Sequence, residues 1–168
     1  MKRTREHKAL YTILGIGAFA TFFGHGMWAV GGKESFVKLL TGSMKSVFGV
    51  EMSAATGKTF VQAIGYFDIA VAGVIGLLVV GAIIERGMLY RAAYSGVALA
   101  VFAWAAVWGF LTALSRVTAA ETWYPEIWDW VERAPNWMLP AALIFVVVRH
   151  RTIEVPTHGP YEEVYTKF

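Results

Sequence analysis

Four long apolar stretches, separated by segments that carry most of the charge, dominate the chain. They cover about residues 9–30, 59–84, 92–114 and 131–148. As a helix, the first stretch would extend about 33 Å, which matches the thickness of the hydrocarbon core of a bilayer. The pattern therefore predicts an all-α fold, an integral membrane four-helix bundle.

The fourth stretch is the shortest of these predicted spans. Its uninterrupted apolar part, residues 134–148, would reach only about 22 Å as a helix, and Pro135 lies near its start. We therefore expect residues 131–133 to extend this helix, or the bilayer to thin around it.

The start of the chain also has features of a secretory signal peptide. Residues 1–8 are basic, and Ala18-Phe19-Ala20 resembles a cleavage site of small residues. The apolar stretch continues beyond that site through Phe22 and Phe23, which favours a retained membrane helix.

Basic residues at the ends of the apolar stretches predict the orientation of the bundle. The positive-inside rule places in the cytoplasm Lys2, Arg3, Arg5, Lys8, Arg86, Arg91, Arg149 and Arg151. Both termini then lie inside, and the longer connections, residues 31–58 and 115–133, lie outside. Residues 1–151 form the predicted transmembrane domain of a multi-pass protein of a bacterial-type cytoplasmic (inner) membrane, and residues 152–168 form a polar cytoplasmic tail.

Both longer connections contain apolar residues at helical spacing, which predicts two amphipathic helices at the outer interface. The first has Phe36, Leu40, Met44, Val47 and Phe48, and the second has Trp123, Ile127, Trp130, Val131 and Ala134. Five of the seven tryptophans fall near that interface, where indole is favoured: Trp28, Trp123, Trp128, Trp130 and Trp137. We expect membrane lipids and larger membrane subunits as partners.

The amino-acid composition excludes several kinds of functional site. The 168 residues are 57% hydrophobic and 16% charged, with a net charge of +3 and no cysteine. The absence of cysteine excludes disulfides, thiolate nucleophiles and cysteine-ligated iron–sulfur clusters. The basic residues form no stripe with interleaved aromatics, which argues against nucleic-acid binding.

His25 and Asp68 are the two ionisable residues well inside predicted spans, where such groups are costly and usually point into the bundle. Both should lie roughly 7 to 14 Å below the outer surface on neighbouring antiparallel helices. We therefore expect His25 and Asp68 to meet, with Trp104 and Trp108 as walls of the same pocket. The small residues expected to let the helices approach are Gly17, Thr21, Gly26, Gly65, Ala72 and Gly76.

The sequence contains few residues that could bind a cofactor. It has no pair of histidines at the spacing of zinc ligands, and the predicted spans do not contain the two histidines that a bis-imidazole haem requires. His25 lies between Gly24 and Gly26, where a flat ring could approach the backbone, so a single axial bond from His25 to haem or chlorophyll is an alternative. It is disfavoured, because histidine beside an acidic residue is commoner. We predict no metal, no catalytic residue and no covalently bound cofactor, with quinone or lipid as the candidate ligand.

The sequence resembles the DoxX family of small four-helix membrane proteins. The similar features are Gly24-His25-Gly26, followed by Lys33 and Phe36, and Ile64-Gly65-Tyr66-Phe67-Asp68 at the start of the second span. The family's His-Gly motif and acidic residue would fall on His25, Gly26 and Asp68, with Asp where Glu is frequent. The resemblance implies association with quinone-linked oxidoreductases as a small subunit.

These observations give two functional hypotheses. The first is an accessory subunit of a larger, quinone-linked redox complex, with a quinone or lipid pocket in the outer half around a His-Asp pair. The second is a purely structural subunit that stabilises a larger membrane complex, in which the His25–Asp68 pair fixes only the helix register. A transporter is disfavoured, because the spans contain one carboxylate and no broken-helix repeat.

Overall fold

A computed structural model describes the backbone of residues 2–119 and 126–154 and the side chains of residues 5–119 and 127–151. Regular structure in these ranges is entirely helical. The helices are α1 (Lys2–Val30), α2 (Glu34–Phe48), α3 (Ala54–Ile84), α4 (Gly87–Ala93), α5 (Gly96–Thr118), α6 (Glu126–Glu132) and α7 (Pro135–Glu154). Four segments are long and apolar enough to cross a membrane, in α1, α3, α5 and Ile127–Arg151. The predicted all-helical chain with four such segments is confirmed.

The four long helices alternate in direction, so the bundle has two distinct ends. The α2 end contains α2, α6 and the turn before α7, and the α4 end contains α4 and the start of α1. Helix α1 packs mainly against α3 and also against α7, while α5 packs mainly against α7. Helices α3 and α5 contact each other less, which leaves space between them at the α2 end.

Helix α5 begins and ends four residues later than the predicted third span, and Ser95 caps its start. The sequence predicts a third span over residues 92–114, but α5 covers Gly96–Thr118. The Ser95 hydroxyl accepts a hydrogen bond from the backbone N–H of Val97 at 3.1 Å and so starts the helix there. The residues between α3 and α5 contain the separate helix α4.

The fourth long helix, α7, begins at Pro135 after a turn at residues 133–134 and continues to Glu154. The segment that is long and apolar enough to cross a membrane begins earlier, at Ile127, and includes residues 131–133. Proline favours the first position of a helix and disfavours helical geometry in the residue before it. Helix α7 thus includes the first residues of the predicted polar tail, and residues 155–168 lie outside the described residues.

Helices α1 and α3 cross closely at a pair of glycines. A Cβ atom added to Gly65 would lie 2.6 Å from the backbone nitrogen of Val30 and 2.8 Å from the carbonyl oxygen of Gly26. Of the other predicted packing residues, Ala72 is fully buried and Gly76 packs against Phe19.

Gly17, in contrast, packs against a different helix from the one predicted. A Cβ atom at Gly17 would lie 3.1 Å from Leu139 of α7. The stripe of Gly17, Thr21 and His25 therefore faces α7 and the interior, because the Gly26 side of α1 contacts α3.

The largest core cluster extends to the α4 end. Its fully buried large side chains include Tyr11 of α1, Phe102 of α5, and Leu143 and Val147 of α7. The Tyr11 hydroxyl donates a hydrogen bond of 3.0 Å to the carbonyl oxygen of Ala93, so this buried phenol has a polar partner. Helix α4 fills this end, and its Leu89 backbone lies directly against Gly81 of α3.

Candidate functional site

A cavity of about 360 Å³ lies inside the α2 end of the bundle. Five elements contribute to its lining: α1, α2, α3, α5 and the segment around the start of α7. Its walls are mainly apolar and include Phe22, Ala29, Val61, Ile64 and Leu111. A small number of polar side chains reach the same space, which is the usual character of a binding cavity for a small organic molecule.

Helix α2 covers this cavity. Its apolar residues Phe36, Leu40, Met44 and Phe48, which the sequence predicts to form the apolar face of a helix at the outer interface, line the cavity. An apolar face packs against whatever apolar surface is available, and here the bundle provides that surface.

Polar contacts attach α2 to the end of α5. The Ser43 hydroxyl lies 2.8 Å from the Thr118 hydroxyl, and the Ser46 hydroxyl donates to the Thr118 carbonyl oxygen. On the opposite face, Lys38 forms an ion pair of 2.8 Å with Glu34, and its hydrogen bond lowers the pKa of Glu34.

Asp68 has a tryptophan as its partner. Its residue exposure is 5%, and its Oδ1 accepts a hydrogen bond of 2.9 Å from the indole Nε1–H of Trp108. The side chains come from α3 and α5, so the bond joins two helices that otherwise touch little. Both residues line the cavity.

His25 has an arginine as its partner. Its Nε2 lies 3.2 Å from Nη1 of Arg133, in the turn before α7. A guanidinium group has only donors, so this bond requires an unprotonated Nε2 and hence a neutral imidazole. The ring also contacts Trp28 and Phe36, with centroids 6.2 and 6.0 Å away.

The structure therefore does not form the predicted His25–Asp68 pair. Among the described hydrogen bonds and ion pairs, none joins these two side chains, and each points toward a different helix. The reason is the rotation of α1 about its own axis. The side of α1 that carries Gly17, Thr21 and His25 faces α7, while Asp68 of α3 faces α5. The expected acidic partner, which would favour a charged imidazole, is replaced by a cation. Both residues nevertheless line one cavity.

The two tryptophans of α5 have different surroundings. Trp108 lines the cavity, but Trp104 is 48% exposed and is absent from its lining. The two rings stack with centroids 6.3 Å apart, and Phe67 contacts Trp104 from α3. Trp104 was predicted as a pocket wall and instead lies on the outer surface of the bundle, one helical turn away.

Arg116 and Arg133 also line the cavity, although the sequence analysis names neither as a site residue. A signal for Arg116 was present, because Trp108, Thr112 and Arg116 follow one another at intervals of four on one face of a helix. No comparable pattern identifies Arg133, whose position depends on the turn between α6 and α7.

The tryptophans of the predicted outer interface form two groups. Trp28 and Trp128 are exposed, whereas Trp130 and Trp137 stack on each other with centroids 6.2 Å apart. The indole N–H groups of this second pair are buried with no hydrogen-bond partner among the described residues. Trp123, expected in the second amphipathic helix, lies outside the described residues, and α6 provides the rest of that helix.

The donor set of the cavity suits binding of a polar head group. Among the described residues, no three His, Asp or Glu side chains gather as they would around a metal ion. The polar groups are instead distributed along the cavity. Along α5, Trp108 and Arg116 are separated by about 12 Å, so Asp68 lies deeper than the arginines.

Comparison with known proteins adds no relative. No protein-family model, no curated protein and no solved structure matches the chain.

Proposed function

We propose that this chain is an integral membrane protein whose cavity at the α2 end binds a lipid-soluble molecule with a polar head, a quinone or a lipid. The observation that carries the proposal is the cavity itself, with apolar walls and the polar groups of His25, Arg133, Asp68 and Trp108. Apolar walls favour a ring or chain, and the few polar groups orient a head group.

The distribution of basic residues supports a membrane orientation. Arg86, Arg91 and Arg151 belong to the α4 end, as does the basic start of α1. By the positive-inside rule, we propose that the α4 end faces the cytoplasm and the α2 end faces outward, with α2 and α6 near the outer surface. The cavity then lies in the outer half of the bilayer.

We further propose an accessory role in a larger, quinone-linked redox complex of a bacterial-type cytoplasmic membrane. The support is the resemblance of the Gly24-His25-Gly26 segment and the Asp68 segment to the DoxX family. In this role the protein contributes a binding site and helix surfaces, and larger subunits contribute the electron carriers.

The test is ligand binding to the purified full chain in a mild non-ionic detergent. Decylubiquinone is titrated while thermal unfolding is followed, because a ligand that binds only the folded state stabilises it by about 2.7 kcal/mol at one hundred times its dissociation constant. Mass spectrometry of a solvent extract identifies the quinones and lipids that purify with the protein.

Two phenylalanine substitutions on α5 provide a matched pair for this test. Thr112→Phe places a ring inside the cavity, whereas Val107→Phe places the same ring on a side chain that is 57% exposed. We expect Thr112→Phe to abolish the ligand-induced stabilisation and Val107→Phe to retain it. If neither quinone nor lipid stabilises the unmodified protein, the binding proposal is wrong and the purely structural subunit is favoured.

A further inference from the structure

Two arginines converge on the cavity near its α2 end. Arg116 comes from the last turn of α5 and its side chain is only 19% exposed, and Arg133 comes from the turn between α6 and α7. Both line the cavity. Two like charges held together in a mainly apolar space are costly unless an anion joins them.

The described carboxylates neutralise these charges only in part. Asp129 reaches Arg116 at 3.7 Å, beyond ordinary hydrogen-bond distance, and its side chain is 57% exposed. Among the described side chains, no carboxylate lies within ion-pair distance of Arg133, whose hydrogen-bond partner is the neutral imidazole of His25. That bond engages one of the five N–H donors of the guanidinium group and leaves others available.

We propose that Arg116 and Arg133 form an anion site at the cavity, and that the ligand is an acidic amphiphile whose carboxylate or phosphate binds there. This inference rests on the proposed binding function of the cavity and specifies its ligand class. The guanidinium fork matches the paired oxygens of either anion, and the apolar walls accommodate the attached chain.

The depth of Asp68 is consistent with this arrangement. Its carboxylate accepts a hydrogen bond from Trp108, whose backbone position lies about 12 Å along α5 from that of Arg116. An anionic head at the arginines therefore lies beside the positive groups and away from the buried carboxylate. A neutral quinone head would supply no further anion to the two guanidinium groups.

The test compares three ligands that share an 18-carbon unsaturated chain and differ in the head group. Binding of oleate, 1-oleoyl lysophosphatidic acid and the neutral oleyl alcohol is measured with the full chain in a non-ionic detergent at pH 8. Decylubiquinone serves as a second neutral ligand. We expect at least one of the two anionic ligands to bind about tenfold or more tightly than oleyl alcohol. Tighter binding of oleate would indicate a fatty acid, and tighter binding of the lysophospholipid a phospholipid head group.

Three variants connect the preference to the arginines. Arg116→Gln and Arg133→Gln should each weaken binding of the preferred anion about tenfold while leaving oleyl alcohol unchanged. Arg133→Lys keeps the charge and should retain more affinity than Arg133→Gln. The control is Arg91→Gln, an exposed arginine of α4 at the other end of the bundle, which should bind all four ligands as the unmodified protein does.

The outcomes separate this inference from the function on which it rests. Saturable binding of decylubiquinone or oleyl alcohol with no preference for an anion would overturn the anion site and leave the binding cavity in place. An anion preference that survives both glutamine substitutions would also overturn the anion site. If none of the four ligands binds the unmodified, folded protein, both proposals fail.

Discussion

The two ends of the bundle are filled in different ways. At the α4 end, Tyr11, Phe102, Leu143 and Val147 are fully buried in one cluster, and His150 stacks on Tyr94 with centroids 3.8 Å apart. At the α2 end, the separate buried apolar cluster is only Ala29, Val37 and Val61, and beside it lies a cavity.

The difference follows from the helices that close each end. Helix α4 is short and inserts its backbone directly against Gly81 of α3, so little space remains. Helix α2 is attached to α5 through Ser43 and Ser46, and its apolar side chains cover the space without filling it. One end thus provides most of the packing, and the other provides the space for a ligand.

The largest contrast is expected between two core truncations. Phe102→Ala removes a fully buried ring at the α4 end and should lower the free energy of unfolding by about 3–5 kcal/mol. Leu40 lines the cavity at the α2 end, so its side chain has fewer packed neighbours to lose. Leu40→Ala should therefore lower the free energy of unfolding by only about 1 kcal/mol. Reversible unfolding in mixed micelles measures both, and equal losses would mean that the α2 end is packed as densely as the other.

The close crossing of α1 and α3 gives the next effect. Gly65→Ala forces a methyl group against backbone atoms of α1 and should cost about 1–3 kcal/mol of the free energy of unfolding. Gly73→Ala is its control on the same helix, because a Cβ atom there meets nothing within 4 Å. That control should be neutral or stabilising by up to about 1 kcal/mol. A destabilising effect of Gly73→Ala equal to that of Gly65→Ala would contradict the crossing point.

The smallest effects concern the hydrogen bonds of one hydroxyl group at each end. Tyr11→Phe removes the bond to the Ala93 carbonyl in the fully buried cluster and should cost about 1 kcal/mol. Ser43→Ala removes part-buried bonds from α2 to Ser115 and Thr118 of α5 and should cost less, because water can replace the hydroxyl at these partners. Thermal unfolding of the two variants side by side is the measurement, and a larger loss for Ser43→Ala would reverse the comparison.

Much of the fold was predictable because each long helix is specified locally. A run of apolar residues long enough to cross a bilayer needs no information from its neighbours, and α2 follows from its own pattern of apolar residues. The boundaries were less predictable, since they depend on Ser95 and Pro135, whose effects compete with a continuous apolar pattern.

The site was only partly predictable from the sequence. His25 and Asp68 were predicted because ionisable groups are costly inside a membrane, and Trp108 because it lies at a similar level on the third span; all three line the cavity. Their partners were not, because hydropathy fixes the depth of a residue on a helix but leaves the rotation of the helix undetermined. Consecutive residues of a helix point in directions about 100° apart. The rotation that α1 adopts about its own axis therefore decides which neighbour His25 faces, and that neighbour is Arg133.

The sequence by itself determined four apolar helices, the positions of their polar residues along each helix and the amphipathic character of α2. The tertiary structure decided which of those residues face each other, that α2 covers a cavity, and that Arg116 and Arg133 both line it. The physical reason is that burial of apolar residues is a property of each segment, whereas contacts depend on how glycines, turns and caps rotate the helices against one another.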